Sequence, residues 1–258
     1  MTSWVRFNWD DRTHLGTLDG DEIAICSNDL FDKTEFTGAQ TRLSEVELLA
    51  PFKPNSILAL WNNFHERAAV EGQTIPVTPL YFMKPVSSVI GPNATIYRPR
   101  GHQGRVIFEA ELGIVIGRKC HAISSAQADE YIFGYTCVND VTAIEFLFED
   151  KAFQQGPAEG YDSFTPIGPC INTDIDPAGL NILAIQDGEG RQDYPVSDMI
   201  YSPQRIVAMI SEYQTLRPGD LICCGTSVGA RTMKPGCEIH ISIPGIGTLV
   251  NHFNDFPE

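Results

Sequence analysis

Apolar and polar residues alternate in short runs along this chain, and those runs predict strands more often than helices. Trp4-Val5-Arg6-Phe7-Asn8-Trp9 suits a strand. Asp19-Gly20 is a hairpin signal ahead of another, Glu22-Ile23-Ala24-Ile25-Cys26. Ile57 to Leu60, Leu80 to Pro85 and Tyr135 to Val138 read as further short strands. The run Phe108-Glu109-Ala110-Glu111-Leu112-Gly113-Ile114-Val115-Ile116-Gly117 reads as one continuous strand. Helical spacing is rarer. Phe64 to Gly72 predicts a short helix closed by glycine, and Ser125 to about Tyr131 a second with a serine cap. Pro203 to Tyr213 predicts an amphipathic helix with Ile206, Ala208, Met209, Ile210 and Tyr213 mostly on one face. Turns at Arg217-Pro218-Gly219-Asp220, Lys234-Pro235-Gly236-Cys237 and Pro244-Gly245-Ile246-Gly247 punctuate a β-rich end. The sum is an α+β, predominantly β fold.

Two prolines in Pro51-Phe52-Lys53-Pro54 mark a linker beginning near Leu49. It divides the chain into a small N-terminal β-rich module, residues 1–50, and a longer domain, residues 51–258. No apolar run approaches the ~20 residues of a membrane span. The first residues lack a signal-peptide pattern, so the expected location is the cytoplasm, with no membrane partner. Net charge is −15, which argues against nucleic acid as a partner. It leaves an anionic substrate open, because a bound cation can reverse the local field. Seven cysteines form no C-x-x-C pair and read as reduced, mostly buried thiols.

The chemistry starts at Glu109 and Glu111. On one strand they share a face, about 7 Å apart. Two carboxylates so placed repel unless water or a cation lies between them, and a hard divalent cation suits oxygen ligands. Asp140 follows a strand–helix–strand excursion that can return beside the glutamates, giving a set of three carboxylates suited to Mg²⁺ or Mn²⁺. Spacing alone equally allows an ordinary solvated strand face.

The local motifs carry more. Tyr81-Phe82-Met83-Lys84-Pro85, Phe108-Glu109-Ala110-Glu111-Leu112 and Gly134-Tyr135-Thr136-Cys137-Val138-Asn139-Asp140 occur in order. Tyr161-Asp162-Ser163-Phe164-Thr165-Pro166-Ile167-Gly168, Ser197-Asp198-Met199-Ile200, Gly225-Thr226-Ser227 and Gly245-Ile246-Gly247-Thr248 follow. From Ser56 to Phe253 the chain resembles the fumarylacetoacetate hydrolase family. The resemblance implies a mixed β-roll, usually a homodimer. It also implies Mg²⁺ or Mn²⁺, with Ca²⁺ a further choice, held at Glu109, Glu111 and Asp140. A 2-oxo acid substrate is implied, its carboxylate and keto oxygens chelating the metal. Thr226 matches the position that binds the substrate carboxylate, with Gly225 and Tyr161 beside it. Lys84 matches a lysine near the metal; a salt bridge to the acidic cluster is its other role.

His65 is the general-base candidate, since an imidazole can take a proton from water at neutral pH. The match is imperfect. Many members carry His-x-x-Glu on the helix after this strand, and Ala68 stands where the glutamate is expected. A gapless reading of Asn63-Phe64 places Arg67 where some members have histidine. Glu159 occupies a position where many relatives have a substrate-contacting lysine, so either the substrate is bound differently or Lys151 or Arg231 supplies the positive charge.

Four readings compete. Gly225-Thr226-Ser227-Val228-Gly229 fits the G-x-S-x-G of a serine hydrolase, but Arg231 to Gly236 does not suit the helix that such an elbow needs. A dead-site structural module finds support only in Glu159 and Ala68. The reading adopted is a metal-dependent hydrolase that cleaves a C–C bond in an acylpyruvate, such as maleylpyruvate or fumarylpyruvate from aromatic catabolism, with water activated by His65. An isomerase or decarboxylase of a related 2-oxo acid is the alternative.

Overall fold

Alternating burial places Ser3–Trp9 between two antiparallel partners, Arg12–Asp19 and Thr165–Asn172. The computed structural model describes residues 2–27, 29–147 and 158–257. Through that first strand, an N-terminal meander of Ser3–Trp9, Arg12–Asp19, Glu22–Ser27 and Glu35–Arg42 continues directly into the main sheet. The sheet then runs through Thr165–Asn172, Ile132–Asn139, Ala110–Ile116, Asp220–Cys223, Ser56–Trp61 and Leu80–Lys84. Asp220–Cys223 and Ser56–Trp61 pair in parallel, which makes the sheet mixed. Five strands form a second sheet: Glu189–Pro195, Asn181–Gln186, Glu238–Ile243, Gly247–Asp255 and Thr95–Arg98. A core of buried aliphatic and aromatic side chains joins the two sheets, with Phe7, Leu112, Ile114, Ile239, Leu249 and Phe253 among them.

Two strands of the N-terminal meander, Arg12–Asp19 and Glu35–Arg42, escape the pattern reading. Neither alternates cleanly; Glu35–Arg42 is exposed along most of its length. The segment read as a linker is packed, with Ala50 and Phe52 buried beside Ile57 and Val115. Prolines there end strands without loosening the chain.

The Phe108–Gly117 run needs a correction that matters for the site. It is two strands. Val106–Phe108 pairs with Thr142–Ala143 and Arg231–Thr232 in a small third sheet, and Ala110–Ile116 belongs to the main one. Glu109 is the hinge between them. Pro203–Tyr213 is helical as predicted, capped by the Ser202 side chain, but its buried face includes Val207 and leaves Tyr213 67% exposed. Ser125–Glu130 is a 3₁₀ helix whose cap is Ser124. All seven cysteines are free and buried. Among the described residues no helix is long and apolar enough to cross a membrane.

Candidate active site

The strands at the sheet's centre deliver acidic side chains to one place. Ala110–Ile116 pairs antiparallel with Ile132–Asn139, and Ala110 lies opposite Asn139. Asp140 follows that strand directly, and its N–H donates to the Glu109 carbonyl at 2.9 Å. The excursion between the glutamates and Asp140 therefore closes as the sequence suggests. Glu109, Glu111 and Asp140 are all buried, Glu111 to 1% exposure. A cavity of about 620 Å³ opens onto Glu109 and Glu111, with Leu60, Trp61, Ile107 and Ile144 as apolar wall.

Each acid has a fixed partner. Glu111 Oε2 accepts from the Gly225 N–H at 2.8 Å. Gly225 holds φ +84°, and a Cβ there would lie 3.2 Å from the Leu60 carbonyl, so glycine serves both the turn and the close approach. Glu109 Oε1 accepts from Arg67 Nη1 at 2.7 Å, and its Oε2 from the Thr142 hydroxyl at 3.3 Å. Lys84, itself 3% exposed, donates to Asp140 Oδ1 and to the Phe164 carbonyl. Of its two expected roles, the salt bridge is the one the structure contains.

A fourth carboxylate completes the cluster. Glu159 is 6% exposed and lines the same cavity. Burial pushes Glu159 well above the usual carboxylate range, and Asp140 adds to it against the opposing charge of Lys84. Glu111 is likewise raised well above it, by burial first and then by Asp140 and Glu109. Glu109 is raised by burial, with Arg67 pulling the other way. Burial alone would lower the Lys84 pKa, but Asp140 and Glu159 together raise it. Four carboxylates, with Glu71 sharing Arg67, thus outnumber the two cations, Lys84 and Arg67.

The substrate-side residues are also placed. Thr226 is buried and lines the cavity. Gln192 Nε2 donates to its hydroxyl at 2.9 Å, and the Tyr194 hydroxyl lies 3.1 Å away. Gln192 Oε1 in turn accepts from the Ala110 N–H at 3.0 Å, which couples Thr226 to the strand of the glutamates. Tyr161 packs against Phe146 and Phe164 and stands outside the cavity lining.

The predicted helix after Ser56–Trp61 exists, His65–Glu71, ended by Gly72 in the left-handed conformation. It lies over the cavity, and Asp198 Oδ2 accepts from its Glu66 N–H at 3.0 Å. Asn63 ties its base to the core: Nδ2 donates to the Cys224 carbonyl at 2.8 Å and Oδ1 accepts from the Tyr201 N–H at 3.0 Å. His65 starts this helix on its exposed side and is not part of the cavity lining. Arg67 is, held by Glu109 and by Glu71 Oε1 at 2.9 Å. One turn of helix explains the exchange: positions two apart project about 200° from each other. Arg231 lies in the small sheet, outside the cavity lining, and Lys151 lies outside the described residues. Ser227 is fully buried with its hydroxyl unpartnered among the described residues, and no helix follows it, unlike a nucleophile elbow.

Arg67, Gln192 and Tyr194 were not singled out for a role from sequence. The gapless alignment of Asn63-Phe64 is the one signal that pointed to Arg67. Gln192 and Tyr194 sit in a strand with no local motif, more than 30 residues from Thr226.

A family model described as fumarylacetoacetate (FAA) hydrolase C-terminal matches residues 56–254, and one described as Rv2993c-like, N-terminal matches residues 3–51. Protein Rv2993c of Mycobacterium tuberculosis is 40% identical over 86% of this chain and 83% of its own length. The 4-hydroxyphenylacetate degradation bifunctional isomerase/decarboxylase of Salmonella dublin is 35% identical over 76% of this chain and 46% of its own. Among solved structures, 2-hydroxyhepta-2,4-diene-1,7-dioate isomerase from Mycobacterium marinum superposes with a TM-score of 0.91 at 34% identity, all of both chains covered. Maleylpyruvate hydrolase from Sphingobium sp. SYK-6, in complex with manganese(II) and pyruvate, gives 0.81 at 25% identity over 99% of this chain and all of the other.

Proposed function

We propose that this chain, which belongs to the fumarylacetoacetate hydrolase family, is a divalent-metal-dependent enzyme that isomerises or decarboxylates a dicarboxylic 2-oxo acid. Glu109, Glu111 and Asp140 are the ligand set of this reading. Among the described residues, no three His, Cys, Asp or Glu side chains stand ready to hold an ion, and Arg67 and Lys84 are bonded to two of the acids. The donor chemistry fits nonetheless. Buried carboxylate oxygens that outnumber the cations among them match a hard divalent cation in kind and in sign. Mg²⁺ and Mn²⁺ are the proposed ions. Held by these residues, such an ion would supply Lewis-acid stabilisation of the negative charge that develops on a 2-oxo acid as a C–H or C–C bond breaks.

The chain's own residues do the rest. Thr226, its hydroxyl oriented by Gln192 and Tyr194, hydrogen-bonds the substrate carboxylate. Arg67 holds Glu109 here; with Glu109 given to an ion, its fork would be free for the substrate's distal carboxylate, the bidentate partner that guanidinium geometry suits. Glu159, its pKa raised by burial and by Asp140, is the group that carries the proton isomerisation moves between oxygen and carbon.

One observation carries the choice of reaction: an arginine, not a histidine, lines the cavity from the covering helix. None of the six histidines of the chain lines it, so hydrolysis has no imidazole there to activate water. Acylpyruvate hydrolysis, the reading favoured from sequence, becomes the second one, supported by the maleylpyruvate hydrolase likeness. The test offers 2-hydroxyhepta-2,4-diene-1,7-dioate, oxaloacetate and maleylpyruvate to the Mn²⁺-loaded protein. Isomerisation or CO₂ release should exceed pyruvate release from maleylpyruvate. The reverse ranking restores the hydrolase, and loss of all activity with a chelator rules out a metal-independent site. In this reading the chain works as a homodimer in the cytoplasm; the exposed Met83 and Val86 at the sheet edge offer apolar surface for the pairing.

A further inference from the structure

The active-site cavity has two unlike parts. Glu109, Glu111, Glu159 and Thr226 make one of them polar. Three aliphatic side chains, Ile107, Ile144 and Leu147, line the same space and have no partner in the proton and charge chemistry of the acids. All three are half-buried, with the cavity on their open side. Strand alternation puts Ile107 there. Val106 and Phe108, on either side of it, are fully buried in the core, so Ile107 projects the other way. Glu109 follows two positions later, about 7 Å along an extended chain. Ile144 and Leu147 are three positions apart, which sets them on one face of the short helix Ile144–Leu147. Phe146 between them turns elsewhere, its ring 4.5 Å from that of His102 and 5.9 Å from that of Tyr161.

The aliphatic wall is braced from behind. Ile107 lies opposite Thr142 in the small sheet, and Val106 opposite Ala143. The Ile144 N–H donates to the Arg105 carbonyl at 3.1 Å. Glu145 ties the short helix to the same residue twice more, accepting from the Arg105 N–H at 2.7 Å and from Arg105 Nε at 2.8 Å. A Cβ at position 104 would collide with Glu145 Oε2, so glycine there leaves the carboxylate its space. Thr142, opposite Ile107, also donates to Glu109 Oε2, which fixes the wall relative to the acids. Apolar surface facing a water-filled cavity is unfavourable in proportion to its area, and hydrocarbon laid against it removes both surfaces from water.

We propose that Ile107, Ile144 and Leu147 select a 2-oxo acid with a hydrocarbon stretch beyond its keto carbon, and that this stretch lies on the wall. The proposal rests on the function proposed above, in which the 2-oxo acid end belongs to the acids and Thr226. It adds the part of the substrate that no charged residue recognises. 2-Hydroxyhepta-2,4-diene-1,7-dioate has such a stretch between its two ends, whereas oxaloacetate has a single methylene there. Selection by this wall therefore favours isomerisation of a longer chain over decarboxylation of the short one.

Calorimetric titration of the Mn²⁺-loaded protein with pyruvate, 2-oxobutyrate, 2-oxopentanoate and 2-oxohexanoate tests the wall, because these acids differ only in methylenes. Each added methylene should tighten Kd about fourfold, the value for a methylene taken fully out of water. Ile107→Thr and Ile144→Thr should each lower the gain per methylene, referenced to pyruvate in the same protein, to about twofold. Val70→Thr, at a position of the covering helix that is 73% exposed and outside the cavity lining, should keep the unsubstituted gain. A flat series in the unsubstituted protein, or an unaltered gain in both wall variants, overturns the proposal. Pyruvate that binds while the series stays flat removes the wall alone; pyruvate that binds neither with nor without Mn²⁺ removes the 2-oxo acid reading with it. Should the Ile107 variant not fold, the Ile144 variant decides.

Discussion

Replacing Lys84 by methionine removes the one cation bonded to Asp140. The two side chains are 0% and 3% exposed, so water cannot take over the lost interaction. Removing one partner of a buried pair costs about 3–5 kcal/mol, because the remaining charge is left uncompensated. Here the upper half of that range applies, since Asp140 also faces Glu111 and Glu159. At about 2–4 °C per kcal/mol for a chain of this size, Tm should fall by on the order of 10 °C or more. The assay is thermal unfolding in the presence of a chelator. Lys33→Met is the control, because the Lys33–Glu35 pair is long, 3.8 Å, and exposed on both sides. It should change stability by less than about 0.5 kcal/mol. Mn²⁺ should recover part of the Lys84→Met loss by supplying the missing positive charge. A drop below about 3 °C in chelator, equivalent to roughly 1 kcal/mol, would refute the claim that Lys84 compensates the cluster.

The raised Glu109, Glu111 and Glu159 give the metal-free protein an unusual pH response. Above the unfolded-chain value of about 4.3, and up to their raised values, the folded state holds more protons than the unfolded one, so stability falls as pH rises. In chelator Tm should therefore be higher at pH 6 than at pH 8; with Mn²⁺ in excess the order should invert, because protons then compete with the ion. A chelated protein that gains stability from pH 6 to 8 contradicts the charge excess. Glu109→Gln should abolish high-affinity Mn²⁺ uptake in a titration, and unaltered uptake would remove Glu109 from the ligand set. Asp198→Ala takes the acceptor from the first turn of the covering helix. It should cost about 1 kcal/mol and raise KM more than it lowers kcat; an unchanged KM would separate that helix from substrate capture. Thr226→Val should raise KM for a 2-oxo acid while Mn²⁺ affinity stays constant.

Much of this arrangement was legible in the sequence because it is local. Glu109, Glu111 and Asp140 lie within one strand–excursion–strand unit, and Gly225-Thr226 is legible through its resemblance to a family motif. What escaped reading is set by contacts across the chain. Glu109 looks like a mid-strand residue until Thr142–Ala143 and Arg231–Thr232 draw Val106–Phe108 into another sheet. His65 and Arg67 differ by two positions on a helix, and only the docking of that helix, through Asn63 and Asp198, decides which of them faces the acids. Gln192 and Tyr194 alternate inward in a strand that carries no motif, so their hold on Thr226 requires the fold. The exposed Glu35–Arg42 strand lacks an apolar face altogether, and pairing with Glu22–Ser27 alone makes it a strand.

The parallel pairing of Ser56–Trp61 with Asp220–Cys223 has a consequence for synthesis. The N-terminal meander is built from neighbouring hairpins and can form as soon as it leaves the ribosome. The cavity cannot. One wall comes from residues near 60 and another from Thr226, so a nascent chain must extend past residue 226 before the acids are enclosed. Until then four carboxylates and two cations are in water, ordinary in their titration and open to any ion present. In the metal-dependent reading, loading with metal and closing of the chain become one event, and the ion supply at that moment helps decide which cation is enclosed.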